Sequence, residues 1–126
     1  MIRQLIHGQK KADMPTARAA FATSSANGKI YAIGGHIDPM ANKATTSTIE
    51  VYDPKTDTWV KKVDMAISRS FLSASTVNGK IYVIGGWTNP ANLVSAVEEY
   101  TPEGWPFSIL LSQGKLPTKW GNIKNR

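Results

Sequence analysis

Two nine-residue stretches, NGKIYAIGG at residues 27–35 and NGKIYVIGG at residues 78–86, differ only in Ala32 against Val83. Near-identity at a separation of 51 residues marks a duplicated structural unit. Asn-Gly between apolar segments is a strong hairpin signal, because a type I′ turn needs positive φ at both central residues. The segment that follows, Ile-Tyr-Ala/Val-Ile, is apolar on both faces and predicts a strand in a sheet covered on both sides.

Working outward, the same shift places Met14 on Met65, Arg18 on Arg69, Asn27-Gly28 on Asn78-Gly79 and Gly34-Gly35 on Gly85-Gly86. After the glycine pairs the second unit runs three residues shorter, so Tyr52 matches Tyr100. Two more residues are missing before Trp59 and Trp105. These length changes fall between the matched blocks, where loops tolerate them. Each unit reads as four short strands. The first is AAFATSSA or SFLSASTV, rich in small residues that suit a crowded position, and the second is KIYAIGG or KIYVIGG. The third is STIEVYD or SAVEEY. The fourth begins TWVKKV after the turn PKTD, or is WPFSILL after TPEG, where Gly104 suits a bulged turn. No segment shows helical periodicity, so the fold class is all-β.

These residues carry a family resemblance. A hydrophobic strand ending in Gly-Gly, a variable loop, then Tyr and a later Trp resembles the kelch repeat. Gly34, Gly35, Tyr52 and Trp59 carry it in unit one, and Gly85, Gly86, Tyr100 and Trp105 in unit two. Six residues separate Tyr52 from Trp59 but only four separate Tyr100 from Trp105, a departure from the pattern. MPTAR and MAISR resemble the Met-x-x-x-Arg segment that joins consecutive kelch units. The resemblance implies one four-stranded propeller blade per repeat. It divides the chain into an N-terminal segment (1–13), repeat one (14–64), repeat two (65–111) and a basic tail (112–126). Residues 9–14, QKKADM, align with VKKVDM at 60–65 and read as the remnant outer strand of a lost blade.

Propellers close with about four to eight blades, and two leave apolar faces open at both ends, bearing side chains such as Tyr31, Ile33, Tyr82 and Ile84. The expectation is that copies of the chain complete the ring, with three chains giving six blades. A chain that starts with Met and runs well past the last repeat suggests a complete reading frame; the opposing reading is a truncated propeller whose only retained property is assembly.

Composition narrows the function. The 126 residues hold 15 Lys and Arg against 9 Asp and Glu, a net charge of +6. Residues 13–110 nevertheless carry eight basic and nine acidic side chains, so the excess sits at the two ends. Nucleic acid is therefore not an expected partner, since a phosphate-tracking surface needs basic residues along the folded body. No apolar run is long enough to cross a bilayer, so no membrane partner is expected. MIRQLIHGQKK lacks the long apolar core of a secretory signal. The chain has no cysteine, which excludes thiolate metal sites and cysteine nucleophiles and leaves the compartment open.

The Gly-Gly pairs belong to no phosphate-binding pattern, and glycine there answers a need for unusual φ and close backbone approach. His7 and His36 have no repeated spacing and make a poor metal site; no metal, cofactor or catalytic residue is expected. Glu50, Glu98, Glu99, Asp53 and Asp57 fall on strand three and its turn, towards the rim, where adjacent glutamates point to opposite faces. By the kelch resemblance, the loops after the glycine pairs (36–47 and 87–95) and the segments MPTAR and MAISR share one face that often binds ligand. That makes Arg18, His36, Arg69, Trp87 and Asn89 the candidate ligand residues. Trp stacks on a sugar or peptide while amides hydrogen-bond. The bland alternatives are that Trp87 caps a blade, His36 is solvated, and both arginines bond loop carbonyls or an adjacent acid between blades. The function expected is a non-enzymatic module that binds itself and a protein or glycan ligand. The alternative is a sugar-modifying, epimerase-like enzyme, which would need Arg18 or Arg69 to pair with a neighbouring chain's carboxylate. A copper oxidase of this family would need a cysteine.

Overall fold

The computed structural model describes residues 7–37, 45–88 and 92–102. Unit one is a four-stranded antiparallel sheet in sequential order: β1 (Ala22–Ala26), β2 (Lys29–Ile33), β3 (Ile49–Asp53) and β4 (Thr58–Lys61). Unit two contributes β5 (Ser73–Val77), β6 (Lys80–Ile84) and β9 (Val97–Tyr100) in the order β5-β6-β9, with a short ribbon of β7 (Trp87–Thr88) and β8 (Asn92–Leu93). Trp105 and the expected fourth strand of unit two lie outside the described residues, as do the tail and Asn89.

The repeated Asn-Gly stretches form the hairpins their chemistry predicts. Asn27 and Gly28 have φ of 53° and 76°, Asn78 and Gly79 of 52° and 80°, and the flanking pairs Ala26–Lys29 and Val77–Lys80 close each turn. The PKTD turn is set by Asp53, whose carboxylate accepts the Lys55 amide at 2.9 Å while its carbonyl accepts the Asp57 amide at 2.8 Å. The first strands start later than the alternation suggests. Ala20 and Phe71, at equivalent positions, have φ of 56° and 57°, which interrupts the strand, so Ala19 and Ser70 form isolated bridges to His36 and Trp87. The β7–β8 ribbon falls within the segment 87–95 expected to be a loop. Residues 7–13 carry no strand in the single chain. Instead Ala12 is clasped by unit one, its amide donating to Asp57 at 2.9 Å and its carbonyl accepting from the Trp59 indole at 3.0 Å.

The core is the seam between the two sheets. One face of unit one supplies Ala22, Ala26, Tyr31, Ile33, Ile49 and Val51; the facing side of unit two supplies Met65, Leu72, Ile81 and Val83. Tyr31 meets Tyr100 edge-on with ring centroids 5.8 Å apart. Tyr31 and Ile33 are thus buried in the seam and not on an open end face as expected for a two-blade chain: the open faces carry Ile30 on one side and Tyr82 with Ile84 on the other. The inner strands touch through Ser24 and Thr76, whose hydroxyls lie 2.6 Å apart. The small residues of the first strands permit that approach.

Because Ile33 is wholly buried, Ile33→Ala should lower stability by about 2–5 kcal/mol in urea unfolding, whereas Val60→Ala on the exposed outer strand should stay within about 0.5 kcal/mol.

Candidate functional site

The Met-x-x-x-Arg segments do two jobs at once. The carbonyl of Arg69 accepts the Gly35 amide of unit one at 2.9 Å. Its side chain reaches into unit two, donating to the carbonyls of Gly85 and Ala96 at 2.9 Å each and pairing with Glu98 at 2.7 Å. Arg18 repeats the pattern within unit one on Gly34, Thr48 and Glu50, at 2.9, 2.9 and 2.5 Å. Both ion pairs are almost completely removed from solvent, and the Nε–H of each arginine has no acceptor among the described residues. The carboxylates bind back onto the same lead-in segments, Glu50 accepting from Thr16 and Glu98 from the amides of Ala66 and Ile67. Glu50 and Glu98 are therefore buried anchors, not rim residues as their place on strand three suggests. The acid that each arginine meets lies in its own unit, not between blades. Each guanidinium is buried against that carboxylate.

The loop face gathers a different set. His36 and Trp87 do occupy equivalent places, each bridging to the residue that enters the first strand. Phe71 stands between them, stacked on Trp87 with centroids 5.6 Å apart and planes 10° apart, and 6.0 Å from the His36 ring. Phe71 is 58% exposed. The structure thus joins the two sequence candidates through a residue that sequence reasoning missed. The signal lay in the repeat alignment, where Phe71 replaces Ala20. The buried Arg18 guanidinium lies 5.7 Å from the Phe21 ring centroid.

Tyr52 and Trp59 pack with centroids 5.1 Å apart, and the Tyr52 hydroxyl donates to Asp57 at 2.7 Å. Hydrogen bonds from the Ala12 amide and the Tyr52 hydroxyl hold the Asp57 carboxyl below its usual range; its stabilising bonds are present above that range and lost as pH falls through the lowered value. The same hydrogen bond raises the Tyr52 hydroxyl, an effect lost as pH rises through the raised value. The described residues hold no cluster of three or more His, Cys, Asp or Glu able to take a metal ion.

The sequence matches the family model described as Kelch motif over residues 17–66 and 68–105. It is 41% identical over 78 residues to an F-box/kelch-repeat protein of Arabidopsis thaliana, covering 62% of this chain and 20% of that protein. It is 33% identical over 94 residues to Kelch-like protein 26 of Danio rerio, covering 74% of this chain and 16% of the relative. Kelch repeat and BTB domain-containing protein 12 of Homo sapiens is 27% identical over 115 residues, covering 85% and 18% respectively. The chain spans a fifth or less of the length of these relatives.

Glu98→Gln should strand a buried guanidinium and cost about 3–5 kcal/mol in denaturant unfolding, while replacing Arg69 and Glu98 together with Met and Leu should recover most of that loss.

Proposed function

The chain belongs to the kelch-repeat family, and we propose that it is a non-enzymatic binding module that completes a β-propeller by joining copies of itself. Three chains of two blades give a six-bladed ring, within the usual range of about four to eight. Ring closure by a head-to-tail contact accounts for a chain whose two end faces differ from one another. Relatives whose names join kelch repeats to an F-box or a BTB domain support an interaction role over a catalytic one.

The observation that carries the binding reading is the row His36–Phe71–Trp87, with Phe71 exposed at its centre. Aromatic residues contribute large contact area at little entropic cost and dominate binding energy where they are held rigid. Trp87 is held by backbone bonds to Ser70 in both directions, at 2.9 and 3.0 Å. The row suits a protein segment or a glycan, either of which can lie flat on the rings. His36, Trp87 and Asn89 stay in the proposed site, and Phe71 joins them. Arg18 and Arg69 contribute by holding the loops in place.

Labelled protein applied to peptide and glycan arrays should bind a restricted set of ligands. Phe71→Ser and Trp87→Ala should each weaken that binding by roughly tenfold or more with little change in thermal unfolding. Undiminished binding by both variants would remove the aromatic row from the site.

A further inference from the structure

The two open faces of the chain are the unpaired halves of the seam that it already contains. Three equivalent pairs differ in burial in the way a missing neighbouring blade would produce. Ile33 is 0% exposed in the seam, whereas its counterpart Ile84 is 46% exposed on the far face of unit two. Ala26 and Val77, also equivalent, are 7% and 54% exposed. On the other side the order reverses, with Ile81 0% and Ile30 39% exposed.

The glycines repeat the contrast. A Cβ on Gly34 would come within 2.7 Å of the Arg69 carbonyl and 3.0 Å of the Met65 methyl, both from the neighbouring unit. Among the described residues, a Cβ on Gly85 would meet only the Val94 carbonyl, at 3.8 Å and within its own unit. The Gly35 amide donates to Arg69, while the equivalent Gly86 amide has no acceptor among the described residues.

We propose that a second copy of this chain docks on the far face of unit two in the register of the internal seam, presenting its own Met14–Arg18 segment to Gly85-Gly86. The proposal rests on the reading that the chain assembles with itself, and it names the surface and register by which it does so. It continues an interface that the chain already shows, and the sequence supplies both members of each pair. The Gly34–Met65 contact becomes Gly85–Met14, and the Gly35–Arg69 hydrogen bond becomes Gly86–Arg18. The edge-on pair Tyr31–Tyr100 becomes Tyr82–Tyr52, and the hydroxyl contact Ser24–Thr76 becomes Ser75–Ser25. Ser25 and Ser75 are both exposed in the single chain. Not every seam residue is repeated: Ser73, Phe21 and Ala32 stand where the internal seam has Ala22, Leu72 and Val83, and Glu99 stands where it has Val51, its carboxylate held by Tyr82 and Lys80 at 3.3 Å each.

The absence of cysteine allows a direct test. A chain carrying Ser25→Cys and Ser75→Cys should oxidise to covalent multimers between copies. Ser24→Cys with Thr76→Cys, whose hydroxyls lie 2.6 Å apart, should close within one chain and serve as the geometric control. Thr23→Cys with Ser75→Cys, out of register, should cross-link at least tenfold less. Equal cross-linking of the in-register and shifted pairs would overturn the register in favour of unspecific edge pairing. Light scattering on the reduced variants separates the two ideas. Multimers that never cross-link through residues 25 and 75 would overturn the docking mode and leave self-association standing. Monomers at every concentration would overturn both.

Discussion

The fold depends on one contact, the carbonyl of Arg69 meeting the amide of Gly35 at 2.9 Å with the Met65 side chain seated against Gly34. It requires glycine at both positions for different reasons. At Gly34 a side chain would strike the incoming unit. At Gly35 a Cβ would stand 2.6 Å from the carbonyl oxygen of Ala19, in the residue's own unit. Both also adopt positive φ, of 68° and 98°. The buried arginine then transfers the constraint, because the residue whose backbone holds unit one has a side chain that holds the β6–β9 connection of unit two. A buried ion pair alone adds little net stability, but one that also bonds loop carbonyls and lead-in amides fixes where those loops lie. The position of His36 and Trp87 beside Phe71 follows from that geometry.

Much of this was legible in the sequence because the determinants are local and duplicated. Asn27-Gly28 dictates a hairpin, Asp53 dictates its turn, and the 51-residue shift shows that whatever one unit does the other repeats. Burial was less legible. A strand apolar on both faces announces cover on both sides without saying which face the chain covers itself, so Tyr31 and Tyr82 read alike although only Tyr31 lies in the seam. Glu50 and Glu98 looked like rim residues because alternation says nothing about an arginine arriving from 29 to 32 residues away. Phe71 was overlooked because it sits in a strand-like run and only its positive φ turns it out to the loop face.

The aromatic row and the open faces place different demands on the molecule. The row needs its supporting loops rigid, which the Arg18 and Arg69 networks provide within each unit. The open faces carry aliphatic surface that a seam of this construction normally covers. Repeat units are stabilised chiefly by their neighbours, so a pair has only one of the two interfaces that each unit is built to use.

Amide hydrogen exchange at Gly35 and Gly86, followed over a dilution series, tests self-completion most directly, because the two amides differ only in whether a neighbouring unit supplies the acceptor. Gly35 should be protected at every concentration, and Gly86 should exchange freely in dilute protein but gain protection as concentration rises. Free exchange at Gly86 at all concentrations, with Gly35 still protected, would contradict self-completion.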